Sequence, residues 1–215
     1  MQPVRRMLLR DMAYEAIRDA IVREDIAPGS SVRNAEFAER LGLSRAPVRE
    51  ALARLADEGL VETKPQSYTR VTPLVLHEAH DAAGVVRAMH ELAARRAVPL
   101  LVGDDIAVMR RANGRFAAAT RIGDIDAALR ADDELHGVLV RVCGNRALAA
   151  TIERYTPLIR RLERRQFSRA RARRSVERHD QLIAACAAGD VEEATRVTAQ
   201  IWRTLEELAE EPFIP

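Results

Sequence analysis

Three polar side chains fall on stripes that helical periodicity assigns to a protein interior. Ile125, Leu129, Asp132, His136, Leu139 and Cys143 recur at three- and four-residue spacing, which sets Asp132 and His136 one turn apart on one inward face. Val176, His179, Ile183 and Cys186 make a second such stripe, so His179 points inward as well. A carboxylate taken out of water must be paired, hydrogen-bonded or bound to a metal. Asp-x-x-x-His on one helix face suits a divalent cation, with an oxygen and an imidazole nitrogen as ligands. The same spacing also describes a buried Asp–His hydrogen bond beside a separately satisfied histidine, and spacing alone favours that simpler reading. A second pair, Arg45 and Arg49, sits four apart near a helix start. Arginine is the side chain best suited to a bidentate grip on guanine O6 and N7.

The elements around the arginines suit that chemistry. Asn34 to Leu41 makes a short helix with Phe37, Ala38 and Leu41 as its apolar side, and Gly42 fits the left-handed position that ends it. Ser44 can cap the next helix through its hydroxyl, and Pro47 falls in the first turn, where a missing amide proton costs little. Val48, Ala51, Leu52 and Leu55 then follow helical spacing up to Gly59. Upstream, Ala13, Ile17, Ala20 and Ile21 mark a longer helix closed by Pro28-Gly29. Downstream, Leu60 to Thr63 and Tyr68 to Thr72 pair as a short hairpin. Three helices and a two-stranded wing place Arg45 and Arg49 where a recognition helix meets base edges.

From His77 onward the pattern is helical throughout, with breaks at Gly103, Gly123, Gly144 and Gly189. Six segments result, at about 77–102, 104–122, 124–142, 145–167, 171–188 and 190–210. Asp104, Asp124, Asn145 and Asp190 stand at helix starts, where an acceptor side chain satisfies free amides. The expected architecture is mainly α: a winged helix-turn-helix over 7–73, then an all-α antiparallel bundle over 77–210. Arg87 is a candidate clamp for a carboxylate ligand, or else a surface partner of Glu91. Asn145 is expected to cap its helix, line a cavity, or do both. The arginine-crowded stretch from Arg160 to Arg178 reads as a solvated or interfacial helix face, or as a second DNA-binding surface.

Composition narrows the classes. With 34 basic and 32 acidic residues the net charge is only +2, so affinity for nucleic acid must come from a local patch. Two distant cysteines, Cys143 and Cys186, do not make a disulfide scaffold and read as buried thiols. The first ten residues lack the apolar core of a signal peptide, and no apolar run is long enough to span a bilayer. A cytoplasmic protein is expected.

The stretch PGSSVRNAEFAERLGLSRAPVREALARLADEGLV resembles the DNA-binding half of the GntR superfamily of bacterial transcription regulators. That resemblance implies base reading by Arg45 and Arg49, with Ser44 and Ala46 against the DNA. Two departures stand out. Ala35 sits where some FadR-like members carry a further DNA-contacting arginine, and the wing tip at 65–69 has no glycine to approach the minor groove. Lys64 and Arg70 remain candidates for phosphate contact.

The second half resembles the FCD effector domain of the FadR subfamily in its six-helix, VanR-like form. The resemblance rests on Arg87-x-x-x-Glu91, Asp132-x-x-x-His136, Gly144-Asn145, Glu177-Arg178-His179 and Gly189-Asp190. It implies a metal, most often zinc, held by an aspartate and three histidines beneath a ligand cavity. Asp132, His136 and His179 match the first three ligands, but Ile201 occupies the fourth position and cannot ligate, which leaves either a cation completed by water or an effector carboxylate, or a weak or vacant site. It further implies a homodimer on an inverted-repeat operator, repression relieved by a small carboxylate effector, and no enzymatic activity. Two other readings are a metal-dependent hydrolase built on the bundle and a ligand-free architectural DNA binder. The first lacks a convincing general base, and the second leaves inward polar residues where apolar ones would pack better.

Overall fold

The computed structural model describes residues 8–64, 67–167 and 169–210. The chain divides into two compact units, Met1–Val75 and Leu76–Pro215.

The first unit contains α1 (Leu9–Val22), α2 (Asn34–Leu41), α3 (Arg45–Asp57), β1 (Val61–Lys64) and β2 (Tyr68–Val71). Ala13, Ile17 and Ile21 of α1 pack on Phe37 and Ala38 of α2 and on Val48, Leu52 and Leu55 of α3. Each fully buried valine, leucine, isoleucine or phenylalanine among them contributes roughly 1.5–3 kcal/mol. Gly42 takes φ 63°, a left-handed conformation that L side chains rarely adopt. Its amide and that of Leu43 then bond to the carbonyls of Glu39 and Ala38 at 3.1 and 2.9 Å, closing α2 and turning the chain into α3.

The two strands are antiparallel, with Val61 opposite Val71 and Lys64 opposite Tyr68. Residues 29–32 run along the other edge of β2, which sequence patterning did not suggest. The Gly29 amide donates to the Val71 carbonyl at 2.8 Å, and the Val32 amide to the Thr69 carbonyl at 2.8 Å. Four residues containing Gly-Ser-Ser carry no alternation to betray a strand. Of the expected wing tip, Pro65 and Gln66 lie outside the described residues, as does Met7 at the expected domain start.

The second unit is helical: α4 (Leu76–Ala97), a 3₁₀ turn (Val98–Leu100), α5 (Gly103–Ile122), α6 (Ile125–Cys143), α7 (Arg146–Arg165), α8 (Arg169–Ala188) and α9 (Val191–Glu210). No strand occurs in this unit among the described residues. Its core alternates small and branched side chains, with Ala93, Ala94, Ala97 and Ala112 against Leu135, Leu139 and Leu182. Asp124, Asn145 and Asp190 cap their helices, accepting from the Ala127, Ala147 and Glu193 amides at 2.9, 3.1 and 2.9 Å. Asp104 does not cap. The helix starts one residue early at Gly103, and Asp105 reaches back to the Val102 amide at 3.2 Å. No described helix is long and apolar enough to cross a membrane.

Candidate functional site

Arg45 and Arg49 project from the first two turns of α3 into solvent. Neither makes an ion pair or side-chain hydrogen bond among the described residues. Arg54, on the same helix, is used differently. Its guanidinium lies 3.7 Å from the centre of the Tyr14 ring and bonds Glu58 at 3.0 Å. Tyr14 in turn donates to Glu58 at 2.7 Å, and burial first, then that carboxylate, push its hydroxyl up to about 12. The C-terminal end of α3 is thus tied to α1, while its N-terminal end presents two uncommitted cations. Ser44 and Ala46 are exposed beside them. Ser44 holds the cap position with extended backbone, but its hydroxyl makes no capping bond, contrary to the sequence expectation. The first turn of α3 therefore keeps its amides unmatched by that side chain, a natural locus for an anion.

On the wing, Lys64 is exposed. Arg70 bonds Glu62 directly across the ladder and lies over the Tyr68 ring at 4.6 Å. An exposed pair of this kind is worth little, so Arg70 can exchange its partner for a phosphate at small cost.

In the bundle, α6 and α8 bring Asp132, His136 and His179 together. Asp132 Oδ1 is 3.7 Å from His136 Nε2 and 3.3 Å from His179 Nε2, and one donor atom from each residue lies within 4.8 Å of the others. The orientation of His179 is fixed from behind. Asn113 on α5 donates its amide to Asp180 at 2.7 Å and to the Val176 carbonyl at 3.2 Å. Both of those groups only accept, so the Asn113 oxygen is the atom left facing His179 Nδ1, at 3.1 Å. With Nδ1 donating to that oxygen, Nε2 is turned toward the Asp132 carboxylate, 3.3 Å from Oδ1, where it serves either as a donor to Asp132 or as a ligand atom for a cation. A ligating histidine anchored through its other nitrogen has this arrangement. The donor set fits a divalent ion.

Ile201 lines the same small cavity, of about 90 Å3, as Asp132, His136 and His179. Arg160 is the surprise on the other side. It is buried and bonds Asp132 Oδ2 at 2.9 Å, and also bonds Asp133 and Glu163. Burial opposes ionisation of Asp132, but Arg160 and the adjacent histidines outweigh it and hold the carboxyl well below its usual range. Burial pushes Glu163 up to about 7 against the pull of Arg160, with Asp132 adding to the rise. Burial likewise lowers His136 to about 4, so it is a neutral imidazole near pH 7.

Arg87 lines neither cavity beside this cluster; it bonds Glu206 at 2.7 Å and Glu91 at 2.9 Å, the second being the partner offered as its alternative reading. The arginine-rich stretch is not uniformly solvated, because Arg160 and Arg161 are buried; the side chain of Arg169 lies outside the described residues. Asn145 both caps α7 and lines a cavity of about 360 Å3 on the far side of His136.

Asn113 escaped the sequence reading, and His90 was placed only on the face adjoining Arg87, although the same stripe test finds both inward. Ile106, Met109, Asn113, Phe116 and Thr120 share one spacing, and Ala79, Ala83, Val86, His90, Ala93 and Ala97 another. Arg160 was hidden by the charged residues around it.

Residues 9–71 match the family described as bacterial regulatory proteins, gntR family, and residues 81–204 match the FCD domain. An Agrobacterium vitis protein, named as an HTH-type transcriptional regulator in the TAR-I ttuE-ttuC' intergenic region, is 33% identical over 131 residues, covering 60% of this chain and 77% of the relative. The HTH-type transcriptional repressor RspR of Escherichia coli K12 is 26% identical over 166 residues, covering 77% and 71%. Among solved structures, E. coli McbR/YncC superposes with a TM-score of 0.82 at 20% identity, covering 93% of this chain and 95% of that one, a likeness of fold.

Proposed function

The chain belongs to the GntR family of regulatory proteins and carries an FCD domain, and from that premise we propose that it is a ligand-responsive repressor of the FadR subfamily, with α3 as its output and the bundle as its input. Its relatives are DNA-binding transcription regulators rather than enzymes. The observation that carries the reading is the pair of exposed arginines at the N-terminal end of α3, unpartnered among the described residues. A homodimer would set two such helices on the halves of an inverted repeat. Ser44 and Ala46 lie close to the DNA in this reading, and Lys64 and Arg70 meet phosphates. Lys64→Ala is then expected to weaken binding about equally on operator and random DNA and to reduce the salt slope by about 1. A selective loss on the operator, measured by anisotropy over a salt series, would make Lys64 a base contact instead.

On the input side, Asp132, His136 and His179 would hold a divalent ion, with zinc the best match to these donors. When bound, it supplies a positive anchor whose remaining coordination position Ile201 leaves open to a small carboxylate. Arg87 and Arg160 are both committed to acidic partners, so in this reading the ion rather than either of these arginines anchors a carboxylate effector. An effector alters DNA binding only if it favours one arrangement of the reading heads over another. Equilibrium dialysis at neutral pH should find one zinc per chain. His179→Ala should abolish that binding, and Asn113→Ala should weaken it by about 10- to 100-fold through loss of the imidazole's anchor. Undiminished zinc binding by His179→Ala would refute the site.

A further inference from the structure

Residues 164–178 hold seven arginines against one acid, Glu177, whereas residues 1–75 hold 12 basic and 11 acidic residues. The unit that carries the recognition helix is thus close to neutral, and a dense run of positive charge lies instead where α7 turns into α8. Polar contacts fix the place of that turn in the bundle. Gln166 donates to the Leu208 carbonyl near the end of α9 at 2.8 Å, and Arg164 bonds Asp126 in the first turn of α6 at 2.6 Å. Ala172 of α8 packs with Ala119 of α5 and with Ala128 and Ala131 of α6. α9 runs antiparallel to α4, with Glu206 bonding Arg87 while Val191 and Arg95 line one surface depression. The end of the bundle that bears the arginines is therefore the end at which α4 begins, four residues after β2.

We propose that this end of the bundle binds DNA phosphates, through Arg173 and Arg174 of α8 with Arg121 of α5 and Arg130 of α6 beside them. This second surface rests on the reading of the chain as a DNA binder, but not on base recognition by Arg45 and Arg49. All four side chains are exposed, and none makes an ion pair among the described residues. Acids close by are already engaged: Asp124 caps α6, Asp126 holds Arg164, and Glu134 holds Arg115. An exposed guanidinium without a carboxylate partner matches two phosphate oxygens with parallel bonds. Contacts of this kind supply a large share of affinity for a duplex, because each one releases condensed counterions. A reading unit with almost no net charge contributes little to that attraction, and the arginines of the bundle supply what it lacks.

The test measures binding of the full chain to a long random-sequence duplex by fluorescence anisotropy over a potassium chloride series. Arg173→Gln/Arg174→Gln should flatten the slope of log affinity against log salt by about 2 for each chain on the DNA, since each lost phosphate contact removes about 0.9. Site selection with the same double variant should still enrich the motif of the native chain. Arg110→Gln/Arg111→Gln removes equal charge from an exposed pair in the first half of α5 and should leave the slope unchanged. Both variants should melt with the native chain, because all four substituted side chains are exposed. An unchanged slope for Arg173→Gln/Arg174→Gln overturns the proposal, as does equal flattening by Arg110→Gln/Arg111→Gln. So does a smaller sedimenting species for free Arg173→Gln/Arg174→Gln, which would assign the face to contact between two copies of the chain. Absence of salt-dependent DNA binding by the native chain would overturn the DNA reading itself and this surface with it, whereas native binding with an unchanged variant slope removes this surface alone.

Discussion

Arg160→Met is expected to destabilise the helical unit by about 3–5 kcal/mol near neutral pH, the usual cost of removing one partner of a buried ionic group. Methionine replaces most of the volume, so the loss is electrostatic rather than a cavity. In metal-free protein Asp132 and Glu163 would remain inside with no cation, and Asp133 would lose the partner that holds it at the surface. Lysine should not rescue, because a point ammonium cannot serve three carboxylates as a planar fork does. The pH dependence has a definite sign. Asp132 is held below its ordinary range in the folded chain, so its contribution is present above the unfolded pKa and disappears as pH falls. Glu163, raised to about 7, binds a proton more tightly folded than unfolded, so its contribution lowers stability as pH rises through that range. Without Arg160 the first contribution vanishes and the second grows. The gap between wild type and variant should therefore widen from pH 5 to pH 8. Urea unfolding followed through Trp202 measures it, and a gap that is constant with pH would mean that Arg160 acts only by packing.

Arg45→Ala and Arg49→Ala should each weaken operator binding by about 1–3 kcal/mol per lost base contact, roughly 5- to 150-fold in Kd. The effect should be concentrated on the correct sequence. Both side chains are exposed and uncommitted, so their removal leaves the apolar core formed by α1, α2 and α3 untouched. Arg54→Ala is the instructive contrast, because that guanidinium packs on Tyr14 and bonds Glu58. Its loss should lower the stability of the first unit while leaving sequence preference intact. An equal loss on operator and random DNA for Arg45→Ala and Arg49→Ala would make them phosphate contacts.

The helical skeleton was legible because its signals are local. Gly42, Gly123, Gly144 and Gly189 all take the left-handed conformations that end or join helices, and the apolar stripes follow the helical period. The inward placement of Asp132, His136 and His179 was legible for the same reason. What could not be read was which distant groups would answer them. Arg160 is 28 residues from Asp132 and Asn113 is 66 from His179, and no periodicity within one helix links such pairs. The same limit applied to Arg87, whose nearer partner Glu91 was visible one turn away while Glu206, 119 residues on, was not. Pairing along β2 by residues 29–32 is likewise a long-range hydrogen-bond pattern without a side-chain signature.

Sequence reading by α3 through Arg45 and Arg49 is tested by selection of binding sites from random double-stranded DNA by the full chain, repeated with the Arg45→Ala/Arg49→Ala double variant. The native chain should enrich an inverted repeat with guanines in each half-site, and the double variant should still retain DNA weakly but enrich no motif. Recovery of the same motif by both proteins would contradict it.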